Sequence, residues 1–158
     1  MKTKYQYKFI FRVLIVLAVL FFNINTLMAV AFPFREFKEG DPVPDVSLKP
    51  FEAGQQTATF SGLKGKPFIA VFWGADLPEK VEHAAKVLGE VESLTSFLQE
   101  RNVQRLSVNV QNDDAAVIKE VLNKSKSSID VYLDENQKAY ATLGIFVMPT
   151  VLVVDKDG

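Results

Sequence analysis

Cysteine is absent from all 158 residues. No thiolate can form on this polypeptide, which excludes thiol nucleophiles, thiol–disulfide exchange, structural disulfides and sulfur-ligated metals. Histidine is almost absent, His83 being the only one. A transition-metal centre or an imidazole-based acid–base pair would rest on that single side chain, and no serine–histidine–acid pattern accompanies it. Charge of either sign is modest, with 18 basic and 19 acidic residues. No Lys/Arg cluster stands in the body of the chain, so the electrostatic footprint of a nucleic-acid-binding protein is missing. Glycine-rich phosphate loops are missing as well, and no metal or cofactor is expected.

Long apolar runs are also scarce, and the one that stands out lies at the start. Lys2, Lys4, Lys8 and Arg12 precede an uninterrupted apolar stretch from Val13 to Phe22, followed by Asn23, Asn25, Thr26 and the small residues of Ala29-Val30-Ala31. That order is expected of a secretory signal peptide over residues 1–31, with the mature domain beginning near Phe32. An uncleaved anchor is the alternative, although ten apolar residues fall short of the ~20 that span a bilayer. Either way the domain is expected to be exported, periplasmic or otherwise extracytoplasmic, and to touch a membrane only through an uncleaved leader. Taking the four basic residues of the leader from 18 leaves 14 against 19 acidic, a net charge of −5 for the remainder.

What is present is a regular alternation of strand and helix periods over residues 32–158. Val46-Ser47-Leu48 and Thr57-Ala58-Thr59-Phe60 read as short strands around a turn at Gly54. Phe68-Ile69-Ala70-Val71-Phe72-Trp73 is apolar on both faces, the pattern of a strand buried within a sheet. Pro78 suits a first helical turn, with Asp76 placed as an N-cap, and Val81, Ala84, Ala85, Leu88, Val91, Leu94 and Leu98 recur as one helical stripe. Glu82 and Lys86 form an i,i+4 pair on the opposite side, where His83 also lies as a solvated residue. Leu106–Val110 is a second core strand, Asp113 or Asp114 opens a second helix through Leu122, and Asn112-Asp113-Asp114 is explained by that helix start without a cation. Ile129–Tyr132 is extended, Asn136–Leu143 is a small helix ended by Gly144, and Thr150–Val154 is a further buried strand. Tyr132 and Tyr140 read as structural residues. The pattern implies βαβ units with a parallel pair of core strands. Asp157-Gly158 is a hairpin signal with no following strand, so a chain that continues, with a final strand and helix missing here, is expected.

Five short motifs in order carry a family resemblance: Gly40-Asp41-Pro42-Val43-Pro44-Asp45, Leu63-Lys64-Gly65-Lys66-Pro67, Val71-Phe72-Trp73, Gly144 through Thr150, and Val154-Asp155-Lys156-Asp157-Gly158. Together they resemble the thioredoxin-like redoxins, the TlpA/ResA-like and AhpC/TSA-related group of exported proteins. The resemblance implies an α/β thioredoxin-like fold, a central mixed sheet flanked by helices, and a cis bond at Pro149. It also implies a Trp-Cys-Pro-x-Cys site, and alignment on Phe72-Trp73 and Pro78 puts Leu77 and Lys80 at the two cysteine positions. Leucine cannot ionise, and lysine is electrostatically unfavourable at a helix N-terminus.

What the resemblance leaves is shape. Met148 and Pro149 are expected beside Trp73, Leu77 and Pro78, forming an apolar platform that takes an extended segment of a protein or peptide partner. Burial of Trp73 in the core is the competing reading for that residue. Two functions are therefore weighed: a redox-inactive binding module, or an oxidoreductase or peroxiredoxin-type antioxidant protein whose thiols come from outside these residues.

Overall fold

The computed structural model describes residues 38–158, so the expected signal segment lies outside the described residues. Six strands form one sheet: β1 (Ser47–Pro50), β2 (Ala58–Thr59), β3 (Phe68–Trp73), β4 (Gln104–Asn109), β5 (Val131–Leu133) and β6 (Thr150–Val154). Their spatial order is β2-β1-β5-β4-β3-β6. β3 runs parallel to β4, and β4 to β5, while β6 and β1 pair antiparallel with their neighbours. The sheet is thus mixed, and the parallel core pair expected from the sequence is β3–β4.

All six residues of β3 are buried. Alternate side chains of this strand serve two cores, because neighbouring Cβ atoms point to opposite faces. Phe68, Ala70 and Phe72 join Leu48, Phe60, Leu143, Ile145 and Leu152 on one side. Ile69, Val71 and Trp73 join Val81, Leu88, Val91, Ile118 and Val121 on the other. The second face is covered by α1 (Pro78–Ser93) and α3 (Ala115–Ser125), whereas α4 (Lys138–Thr142) contributes Ala139 to the first.

Three sequence expectations are corrected. The stripe from Val81 to Leu98 is two helices, with α2 (Thr95–Glu100) separated from α1 at Leu94. The Ser93 and Thr95 hydroxyls donate back to the Glu90 and Glu92 carbonyls, competing with the helical ladder there. The helical phase shifts, so Leu94 ends 48% exposed while Leu98 stays buried. The expected Glu82–Lys86 pair gives way to a tertiary one, since Glu82 Oε1 accepts from Lys124 Nζ of α3, which also meets Glu120 at 3.3 Å. The N-cap of α1 is Leu77, not Asp76.

Glu92 ties the far ends of these elements together. Its carboxylate accepts from the Ser128 N–H (3.0 Å), the Ser128 hydroxyl (3.0 Å) and Arg105 Nη1 (3.3 Å). Burial pushes its pKa up, but the Ser128 hydrogen bonds, Thr95 and Arg105 outweigh that and leave it below the usual value.

Candidate functional site

The strands deliver two loops to one end of the sheet. Phe72 is opposite Thr150 in the β3–β6 register, so the residues following Trp73 and those preceding Thr150 leave the sheet together. One loop is Gly74–Leu77, which leads into α1. The other is Ile145–Pro149, where the Met148–Pro149 peptide is cis, as the resemblance implies.

Leu77 occupies the N-cap position of α1 in extended conformation (φ −133°, ψ 149°) and is 46% exposed. Its carbonyl accepts from Lys80 N at 2.9 Å and Val81 N at 3.1 Å, which starts the helix. A hydrocarbon side chain cannot cap what is left of the first turn, the Glu79 N–H, since the Lys80 N–H is already bonded and Pro78 supplies no N–H at all. An ionised sulfur at residue 77 would be stabilised by that turn, and a second at residue 80 would lie within the same turn. The two aligned positions therefore stand at the start of α1, and neither carries a thiol.

Lys80 instead donates from Nζ to Asp76 Oδ1 at 2.6 Å. That hydrogen bond, with a contribution from the Gln111 side chain, holds the Asp76 carboxyl below its ordinary pKa. The positive charge at the helix start is thereby neutralised by a partner immediately before the helix.

Trp73 does not belong to the expected platform. It is fully buried, and its Nε1 donates to the buried Ser107 Oγ at 2.8 Å. As the last residue of β3 it points its ring beneath α1, on the side away from solvent, so it offers a partner nothing. Leu77 and Pro78 are exposed, and Pro149 is half-buried. Met148 is half-buried and packs partly on the core that contains Leu143 and Ile145. Val147, 49% exposed, was not singled out from the sequence. Only its place one residue before Met148 could have drawn attention to it. At this end of the sheet one loop therefore exposes Leu77 and Pro78, beside Asp76, Glu79 and the half-buried Lys80, and the other exposes Val147 with Met148 and Pro149 half-buried.

His83 is exposed. Asp113 does not cap α3 with its side chain, but accepts from the Ala75 N–H at 2.7 Å across the site. Among the described residues no group of three or more His, Cys, Asp or Glu is placed to hold a metal ion, and no helix is long and apolar enough to cross a membrane.

Comparison with known proteins gives a consistent result. The family model described as Redoxin matches residues 38–158. Thiol-disulfide oxidoreductase ResA of Bacillus thuringiensis (strain Al Hakam) is 29% identical over 96 residues, covering 61% of this chain and 53% of the relative. Thiol:disulfide interchange protein DsbE of Pseudomonas aeruginosa is 31% identical over 123 residues, 75% of this chain and 62% of the relative. The chain thus spans between about half and two thirds of the length of these curated relatives. Among solved structures, the thioredoxin domain of a thiol-disulfide oxidoreductase from Bacteroides vulgatus superposes with a TM-score of 0.61 at 17% identity, covering 78% of this chain and 85% of that one. StoA from Bacillus subtilis gives 0.55 at 19% identity, covering 73% and 82%. Identities this low establish the fold alone, and the fold is thioredoxin-like.

Proposed function

This chain belongs to the redoxin family, and from that premise we propose that it is a redox-inactive, extracytoplasmic thioredoxin-like module that binds an extended segment of a partner protein. The binding face is the one formed by Leu77, Pro78, Val147, Met148 and Pro149. Leu77 carries the proposal. An apolar N-cap supplies no side-chain acceptor to the first helical turn and exposes hydrocarbon; apolar side chains of a partner cover the hydrocarbon, and a backbone carbonyl of its extended segment can accept from the helix start. The leader-like order of residues 1–31 supports export.

Leu77→Asp tests the reading because folding and binding should move in opposite directions. A carboxylate at the N-cap satisfies the first-turn N–H of Glu79 and favours the helix dipole, which is expected to raise stability by ~0.5–2 kcal/mol. The same charge on the apolar face should weaken capture of a permanently unfolded probe, reduced and carbamidomethylated α-lactalbumin, by at least about tenfold, or ~1.4 kcal/mol. Thermal melts and binding isotherms of the two proteins supply the comparison. Unchanged capture by a variant that melts at or above the parent temperature would remove Leu77 from the function.

A further inference from the structure

The loop that presents Leu77 is gripped from behind, residue by residue, by the segment that follows β4. Val110 N donates to the Trp73 carbonyl at 2.8 Å. The Gln111 side chain lies on Gly74 so closely that a Cβ added there would stand 1.8 Å from Gln111 Oε1. Ala75 N donates to Asp113 Oδ2 at 2.7 Å. Asp76 then has Gln111 beside its carboxylate. Four consecutive residues are therefore held by one short stretch of chain. That stretch is itself locked, because Asn109 Nδ2 donates to the same Asp113 Oδ2 at 2.7 Å while Asp113 N donates to Asn109 Oδ1 at 2.9 Å. Asn109 is fully buried and Ala75 nearly so.

We propose that Asp113 is the positioning residue of this face, fixing the Gly74–Leu77 loop so that Leu77 projects outward before any partner arrives. The proposal rests on the binding function argued above. A loop already fixed in its bound shape loses little conformational freedom on association, which favours affinity without adding a contact. The geometry makes a sharp demand on the chemistry. Both donors converge on one oxygen of Asp113, so a neutral amide oxygen in that place does the same work and the negative charge is not needed.

Amide hydrogen exchange by NMR, paired with binding of the alkylated α-lactalbumin probe, tests this on the whole chain. Asp113→Ala is expected to speed exchange at Ala75 at least about tenfold and to weaken the probe about tenfold, while core amides of β3 and β4 keep their rates. Asp113→Asn is expected to restore both to within about twofold of the parent. Should Asp113→Ala not fold, Gly74→Ala displaces the flexible Gln111 side chain from the loop and is expected to loosen the same amides. Exchange at Ala75 unchanged in Asp113→Ala would overturn the proposal. So would an asparagine variant as impaired as the alanine one, or acceleration spread evenly over the core. If the parent protein does not bind the probe, the binding function fails by itself, and the exchange rates still decide whether Asp113 positions the loop.

Discussion

With dithiothreitol supplying the electrons, replacing Leu77 and Lys80 together by cysteine should turn a chain without thiols into one that catalyses the reduction of insulin disulfides, at least ~100-fold faster than the unaltered protein. The expectation follows from where the two side chains stand. Residue 77 is the N-cap of α1, so a thiol there faces the first-turn N–H of Glu79 and the positive end of the helix dipole. Such surroundings bring a thiol from its free pKa of about 8.5 into the range of roughly 3.5–7.5, which makes it largely thiolate at neutral pH. Residue 80 lies three positions on, in the same turn, and neighbours at that spacing have Cβ atoms about 5–6 Å apart. A modest adjustment closes a disulfide, whose Cα atoms are usually 4.4–6.8 Å apart. The second substitution also removes Lys80 Nζ from Asp76. Leu77→Cys alone is expected to react quickly with iodoacetamide and yet not turn over, because no resolving thiol is present to release the mixed disulfide. A double variant with no more activity than the parent would mean that the loop, and not merely its residues, is unsuited to exchange.

Trp73→Ala is the substitution expected to damage the fold most. The indole is fully buried among α1, β3 and β4 and donates to Ser107 Oγ at 2.8 Å. Truncating a buried aromatic costs about 3–5 kcal/mol through lost transfer energy and the cavity left behind. The orphaned Ser107 hydroxyl adds to that, since an unsatisfied buried polar group costs roughly 1–3 kcal/mol. Against a total stability of about 5–15 kcal/mol, the variant should melt at least about 10 °C below the parent. Trp73 is also the only tryptophan, so fluorescence reports on this one position. Its emission should be blue-shifted and resistant to iodide quenching, with or without the alkylated probe. A red-shifted, readily quenched emission would return Trp73 to the binding face.

Much of the scaffold was legible because it depends on local pattern. Six consecutive apolar residues announce a strand buried on both faces, and Phe68–Trp73 is that strand. Pro78 marks the start of α1, and Gly144, with φ of +59°, follows the end of α4 where a left-handed residue is needed. The assignment of Leu77 and Lys80 to the cysteine positions is of another kind, since it comes from the family resemblance, and the structure adds that both stand at the start of α1. What escaped the sequence is tertiary. The same run that announces a strand cannot say what covers its last residue, and here Trp73 falls by alternation on the face covered by α1 and α3, with Ser107 of β4 accepting from its Nε1. Asp113 or Asp114 read as a helix start because aspartate favours that place, and the N-cap position of α3 falls to Asp114, which leaves a different role to Asp113. Its true partner, Ala75, is 38 residues away and carries no sequence signal, being a backbone N–H. Glu82 had two cations within reach, Lys86 along its own helix and Lys124 across the gap, and only the packing of α3 against α1 selects the second. Leu94 followed the helical period faithfully, but the serine and threonine hydroxyls beside it end the helix that the period assumes.

The central claim is that an apolar face, built from two loops at one end of the sheet, receives an extended chain without exchanging electrons with it. Mapping the alkylated α-lactalbumin probe onto the protein by two-dimensional NMR tests that most directly, since the probe has no free thiol and can only bind. Shifts clustered at residues 74–80 and 145–150, absent in Leu77→Asp, are the predicted result. Saturable binding whose shifts lie elsewhere, for example around exposed Val153 or Phe97, would contradict it.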